Sequence, residues 1–209
     1  MDNTGGMSFA ELLEQPGVVE EVELRGRFGF LAYHGGPVER VTTMVARMAA
    51  ERSGASFYGI DQPAERPLHI PSTRIDPAES QTLSEFYEHV DIVCTVHGYG
   101  REMDKQWVLL GGQNRELAVT AKHELEARLP ERFRVIDDLD EIPKALRGVH
   151  VRNPVNLATD QGVQVELPPA IRWNHAAKQW ADAEGLQPTQ NVLAVVDALT
   201  ATAINWMSI

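Results

Sequence analysis

Cysteine is almost absent from this sequence, since Cys94 is the only one among 209 residues. An internal disulfide is therefore excluded, and so is any zinc knuckle built from several cysteines. A metal site in this chain has to use histidine and carboxylate ligands. The sequence supplies 7 histidines and 30 acidic residues for that purpose.

Positive charge is also scarce, and it does not gather in any run of lysine and arginine. The 19 basic residues face 30 acidic ones, which gives a formal net charge of −11. A surface of this sign repels a phosphate backbone, so we expect no nucleic-acid partner.

Long apolar runs are missing as well. The most apolar late stretch, residues 191–204, contains Asp197 and is too short to cross a bilayer. Residues 1–15 have no cationic start followed by an apolar core, so no secretory signal is recognised. We therefore expect a soluble, cytoplasmic protein with no membrane partner.

What the sequence does have is enough apolar material for one core, at 43% of its residues. We predict one domain over residues 1–209, with a Gly-rich and polar loose arm over 1–16. Strands are predicted over 18–24, 28–33, 56–60, 68–75, 92–96, 107–110, 133–136 and 163–167, and helices over 38–51, 79–89, 116–129, 141–146, 169–183 and 191–206. This alternation predicts an α/β fold, with an open, twisted, mixed sheet and helices on both of its faces.

Two histidines end predicted strands, at the edge of the sheet where α/β folds bind ligands. His34 is followed by a Gly-Gly-Pro turn and then by Glu39, predicted in the first turn of a helix, and His97 ends the strand over 92–96. A His-Glu-His set could hold a zinc ion and leave a fourth position for water. Alternatively, each histidine is a hydrogen-bonded structural residue and Glu39 is an ordinary acid at a helix start.

A second carboxylate reaches the same edge on the last predicted strand. In residues 163–167 the apolar side chains point one way, while Gln164 and Glu166 share the other face. Close to an activated water, Glu166 would take up its proton and return it to a leaving amine. A solvated glutamate at a strand end and a fourth metal ligand are the alternatives.

Taken together, these segments resemble the poly-γ-glutamate hydrolase family, also called phage-related replication proteins. The resemblance rests on HGGPVE from His34, LHIPSTRID from Leu68, VCTVHGYG from Val93, VLLGGQN from Val108 and GVQVELPPAIR from Gly162. It covers roughly residues 20 to 175. The chain departs from the family pattern at Pro71, where LHIPS replaces LHITS, and the first ligand pair is spaced more widely than the His-x-x-Glu of carboxypeptidases.

The resemblance implies the open α/β fold of zinc carboxypeptidases and N-formylglutamate deformylases. It implies that His34, Glu39 and His97 bind Zn²⁺, that Glu166 is the catalytic carboxylate, and that the reaction is hydrolysis of an amide joining glutamate units.

A glutamyl substrate, whether small or polymeric, calls for arginines that bind its carboxylates. We name Arg115, Arg152 and Arg172 as candidates, together with the amide of Asn156, and Arg172 is also placed in the catalytic machinery as a stabiliser of developing negative charge.

The charge of −11 opposes a polyanionic substrate, and this keeps other functions open. One is an inactive module that retains the zinc fold and binds an acidic ligand. Another is an amidohydrolase of small acyl amides. The sequence assigns no oligomeric state.

Overall fold

The computed structural model describes residues 6–65, 67–100 and 106–208. The strands are β1 (Val19–Glu23), β2 (Phe28–Ala32), β3 (Ser56–Asp61), β4 (Ile92–Gly98), β5 (Trp107–Gly111), β6 (Arg134–Ile136), β7 (Gly162–Leu167), β8 (Trp173–Asn174) and β9 (Gln179–Trp180). The α-helices are α1 (Phe9–Leu13), α2 (Thr42–Ser53), α3 (Gln81–His89), α4 (Arg115–Glu126), α5 (Pro169–Arg172) and α6 (Gln190–Met207).

Seven strands form one mixed sheet in the order β1-β3-β2-β4-β7-β5-β6. The four central strands, β3, β2, β4 and β7, run parallel to one another. The pairs β1–β3 and β5–β7 are antiparallel. Parallel neighbours end at the same edge of a sheet, so β2, β4 and β7 deliver the residues at their carboxyl ends to one place.

Side chains alternate between the two faces of the sheet and build a separate core on each. In β4, Cys94 and Val96 pack into the core covered by α2, α4 and α6, while Val93 packs into the opposite core with residues of α1 and α3. The predicted α/β sheet with helices on both faces is thus confirmed.

Three predicted elements are wrong. Residues 68–75 form no strand. Pro71 removes a backbone donor in the middle of the segment, which contains only a 3₁₀ turn at Ser72–Arg74. The helix predicted over 141–146 is reduced to a 3₁₀ turn, Lys144–Leu146. The helix predicted over 169–183 stops at Arg172, and the chain then folds into the β8–β9 hairpin.

The described part of the predicted loose arm is ordered instead. A capping box at Ser8 starts α1, and Phe9 and Leu12 of this helix are fully buried in the core beneath the sheet. Residues 1–5 of the predicted arm lie outside the described residues.

Among the described residues, no helix combines the length and apolarity that crossing a membrane requires.

Candidate metal centre

Three polar side chains meet where β2, β4 and β7 end. His34 is the second residue after β2, whereas His97 and Glu166 lie within β4 and β7 and are paired in register across the two strands. In β7 the apolar residues Val163, Val165 and Leu167 enter the core, so Gln164 and Glu166 share the other face as predicted. The three site residues are nearly inaccessible, with exposed fractions of 2% for His34, 3% for His97 and 4% for Glu166.

A tight turn brings Glu39 back to His34. The backbone N–H of Glu39 donates to the carbonyl oxygen of His34 at 2.9 Å. Gly35 makes this turn possible, because a Cβ atom there would lie 2.0 Å from Thr43 Oγ1 and 2.4 Å from the backbone oxygen of Ile60.

Glu39 does not lie in the first turn of a helix as predicted. Helix α2 begins only at Thr42, after Val41 at a φ of 80°, and Asp182 accepts the backbone N–H of Val41 at 2.7 Å. The helix dipole therefore does not account for the position of Glu39. Its carboxylate is fixed instead by the turn and by the groups it contacts.

The carboxylate of Glu39 lies between the two imidazoles. Its Oε1 is 3.0 Å from Nδ1 of His34, and its Oε2 is 3.0 Å from Nδ1 of His97 and 3.0 Å from the backbone nitrogen of Gly98, which donates to it. One potential ligand atom from each of the three residues lies within 4.8 Å of the others. The three side chains that the sequence predicted as ligands are therefore brought together.

The contacts of the outer nitrogens, Nε2, place one proton on each imidazole. His34 Nε2 lies 3.0 Å from the carbonyl oxygen of Ile70, which only accepts, so the proton is on Nε2. The hydroxyl of Tyr33 donates to Asn153 Oδ1 at 3.3 Å and lies 2.8 Å from His97 Nε2, from which it accepts. Both Nδ1 atoms then face the Glu39 carboxylate, so each contact needs a positive charge between nitrogen and oxygen, either a proton on Nδ1 or a metal ion shared by the three side chains. The donor set fits a metal ion.

The charges at the site shift the pKa values of Glu39 and His97 in opposite directions. Burial alone would raise the pKa of Glu39, but the imidazoles of His97 and His34 hold it well below its usual range. Burial would lower the pKa of His97, and the neighbouring Glu39 carboxylate raises it. The Glu39 carboxylate is therefore ionised and favours a positive charge beside it, whether on the imidazole of His97 or on a bound metal ion.

Glu166 is the second carboxylate of the site. Burial raises its pKa to about 7, against the opposing effect of His97. Gln164 Nε2 donates to Glu166 Oε1 at 3.0 Å, and Gln164 Oε1 accepts from Asn153 Nδ2 at 3.1 Å. A carboxylate held in this way, beside side chains that fit a metal ion, is suited to proton transfer.

The site opens into a cavity of about 920 Å³. His34, Glu39, His97 and Glu166 line it, and so do several residues that the sequence did not single out for the site, namely His69, Lys144 and His150. The ring of His69 is centred 4.7 Å from that of His34. The sequence did not indicate that Lys144 lines the cavity, because this residue lies in a turn after a proline and far from every motif.

Asn156 and Arg115, two of the predicted substrate residues, use their side chains for hydrogen bonds to the backbone. Asn156 donates to the carbonyl oxygens of Gly148 and His150 at 2.7 and 2.9 Å, and its oxygen accepts from the N–H of Gln113. Arg115 donates to the carbonyl oxygens of Gly112 and Leu110 at 3.0 and 3.1 Å, and also to that of Asp137. Neither side chain lines the cavity.

Arg172 does not reach the cavity either. Its side chain is buried and donates to the carbonyl oxygens of Leu167, Arg40 and Tyr99 at 3.2, 3.1 and 2.7 Å. These contacts occupy all three guanidinium nitrogens, and the group lies 5.0 Å from the ring centre of Trp180. In this structure Arg172 thus joins three backbone segments, and its contact with the reacting atoms stays a prediction.

Arg152 lies at a different cavity. It is exposed and lines a space of about 520 Å³ together with Arg74. Thr73 lines both cavities, so the second one borders the first. Arg152 therefore lies near the site and has no hydrogen bond to His34, Glu39 or His97 among the described residues.

Two comparisons bear on what this chain is similar to. The sequence profile of the poly-gamma-glutamate hydrolase family matches residues 7–195. No curated protein sequence matches the chain.

Solved structures of similar fold cover nearly the whole chain. The structure of a bacteriophage poly-gamma-glutamate hydrolase is 22% identical, with a TM-score of 0.75 over 95% of this chain and 94% of that one. A zinc-free apo structure of YNDL is 20% identical, with a TM-score of 0.76 over 95% and 96%. A metallo-carboxypeptidase from Burkholderia cenocepacia is 10% identical, with a TM-score of 0.53 over 94% of this chain and 66% of that one. The chain therefore has a carboxypeptidase-like α/β fold.

Proposed function

The chain belongs to the poly-gamma-glutamate hydrolase family, and from that premise we propose that it hydrolyses γ-glutamyl amide bonds with a zinc ion held by His34, Glu39 and His97. Its membership confirms the resemblance predicted from the motifs, and the protein is a hydrolase. The choice of zinc is supported by the similar YNDL structure, which is described as zinc-free, and by the metallo-carboxypeptidase neighbour.

One observation carries the proposal. The two imidazoles turn their Nδ1 atoms toward one carboxylate, each 3.0 Å from one of its oxygens, beside a cavity of about 920 Å³. Three nitrogen and oxygen ligands with an open side are what a catalytic zinc site requires. When bound, zinc would polarise the scissile carbonyl and lower the pKa of water to about 7, which supplies a nucleophile at neutral pH.

Glu166 takes the proton of the attacking water and returns it to the leaving amine. Its place next to His97 in the sheet puts the carboxylate at the same edge as the ligands. The hydrogen bond from Gln164 Nε2 fixes one carboxylate oxygen and leaves the other to exchange the proton.

The test is replacement of Glu166 by glutamine. Because the amide keeps the size of the side chain but cannot accept the proton, kcat on γ-glutamyl polymer should fall by about 10²–10⁴-fold. Zinc content, measured by elemental analysis, should stay at one ion per chain. Glu88→Gln, an exposed glutamate of α3, is the matched control and should keep full activity.

His97→Ala completes the test, since loss of a ligand should remove zinc and activity together. Undiminished turnover in the Glu166→Gln variant with equal zinc content would remove Glu166 from the mechanism. Full activity of the wild-type protein after complete removal of zinc would refute the metal assignment.

A further inference from the structure

One wall of the 920 Å³ cavity is formed by residues 144–151, which we call the recognition wall. It carries the side chains of Lys144, Val149 and Val151 toward the cavity. Each of the three is exposed, with fractions of 40% for Val149 and 70% for Val151. No catalytic role described above uses them.

Lys144 is the only lysine or arginine among the described residues that line this cavity. Lys122 pairs with Asp137, whereas Lys144 has no carboxylate partner in the described part of the chain. An ammonium group left unpaired in a cavity of a protein with a net charge of −11 is available to an anionic ligand.

The recognition wall is held rigidly by hydrogen bonds to its backbone. The carbonyl oxygen of Leu146 accepts from Gln164 Nε2 at 3.1 Å, that of Gly148 from Asn156 Nδ2 at 2.7 Å, and that of Val149 from Gln113 Nε2 at 2.8 Å. A binding group on a fixed backbone loses less entropy when it engages a ligand. Asn156, predicted to touch the substrate, thus contributes by holding this wall.

The chemistry of the wall matches a γ-linked glutamyl unit. Such a unit places two methylene groups in the polymer backbone and leaves its α-carboxylate free. Val149 and Val151 offer apolar surface for the methylenes, and Lys144 offers a cation for the carboxylate. On the basis of the proposed function, we infer that the recognition wall binds one glutamyl unit beside the scissile amide, with Lys144 contacting its α-carboxylate.

The experiment compares two trimers joined by γ-glutamyl bonds. One has free α-carboxylates, and in the other each α-carboxylate is replaced by a neutral carboxamide of similar size. The wild-type protein should prefer the carboxylate trimer by about 10-fold in kcat/KM, the factor expected for a hydrogen bond to a charged group. In Lys144→Ala this preference should fall toward 1, mainly through a higher KM for the carboxylate trimer.

Two further variants sharpen the result. Lys144→Arg keeps the charge and should retain most of the preference, whereas Arg132→Ala removes an exposed cation far from the cavity and should retain all of it. Because Lys144 is exposed, its replacement should leave the urea midpoint unchanged, which separates binding from folding.

The outcomes distinguish this inference from the function on which it rests. If the wild-type protein hydrolyses neither trimer, the proposed function fails and this inference fails with it. If it hydrolyses both and Lys144→Ala keeps the full preference for the carboxylate trimer, only the assignment of Lys144 is overturned.

Discussion

Replacing Arg172 with alanine should destabilise the fold far more than it slows the reaction. The guanidinium donates to three backbone carbonyl oxygens, those of Leu167, Arg40 and Tyr99, at 3.2, 3.1 and 2.7 Å. These carbonyls come from separate segments that surround the site. Arg172 therefore joins the end of β7 to the turn before α2 and to the residue after β4.

The size of the expected stability loss follows from the carbonyl oxygens that lose their hydrogen-bond donor. Each buried carbonyl without a partner costs about 1–3 kcal/mol, and water entering the vacated space recovers part of that. Together with the lost contact to Trp180, we expect a loss of about 3–5 kcal/mol in the free energy of unfolding, a size typical of breaking a buried charged network. Proteins are usually stable by about 5–15 kcal/mol, so the variant should remain folded but fragile.

Urea unfolding followed by tryptophan fluorescence measures this loss, because Trp180 lies against the guanidinium. With kcat corrected for the folded fraction, we expect a decrease of about 10-fold or less, compared with about 10²–10³-fold for removing a group that stabilises an oxyanion. A loss of stability below about 1 kcal/mol, combined with a fall in kcat beyond about 10³-fold, would refute this reasoning and return Arg172 to the reacting atoms.

Two further substitutions test the local geometry. Tyr33→Phe removes the oxygen that accepts from His97 Nε2, so the affinity for zinc should fall by about 10–100-fold. Competition with a chromophoric chelator measures this affinity. An unchanged value would show that Tyr33 does not position His97. Gly35→Ala places a Cβ atom 2.4 Å from the backbone oxygen of Ile60, which cannot rotate away. The free energy of unfolding should therefore fall by about 3 kcal/mol. A loss below about 0.5 kcal/mol in urea unfolding would contradict this contact.

The sequence predicted the site correctly where the pattern of apolar residues identifies a strand and the face that each of its side chains occupies. The continuous apolar run of β4 and the alternation in β7 each identify a buried strand, and parallel strands must end at a common edge. That is why the convergence of His34, His97 and Glu166 was predictable. The position of Glu39 was predictable for a weaker reason. A short turn with two glycines connects it to His34, so its carboxylate has to lie close to that imidazole.

The arginines were not predictable in the same way. Nearness to Glu166 along the chain made Arg172 a candidate, yet the direction of its side chain depends on α5 ending after four residues and on the carbonyls that β4 and the turn before α2 bring close. Lys144 shows the converse, because it is remote from every motif and reaches the cavity only through the packing of its wall. A contact between segments distant in sequence leaves no local pattern.

The hydrogen bonds behind the site connect the proposed ligands with the proposed base. His97 Nε2 donates to the hydroxyl of Tyr33, which donates to Asn153; Asn153 donates to Gln164, and Gln164 donates to Glu166, over distances of 2.8, 3.3, 3.1 and 3.0 Å. All four bonds run in one direction, so reversing any one would leave two donors or two acceptors facing each other.

This single direction has a chemical consequence. It keeps a proton on Nε2 of His97, so Nδ1 is the nitrogen available to a cation, while at the other end it holds Glu166 by an N–H donor, which favours the ionised carboxylate. One chain of side chains thus fixes the protonated nitrogen of a proposed metal ligand and holds the carboxylate of the proposed base. Damage to a middle link such as Asn153 should therefore disturb both ends together, although Asn153 contacts neither His97 nor Glu166 through a hydrogen bond of its own among the described residues.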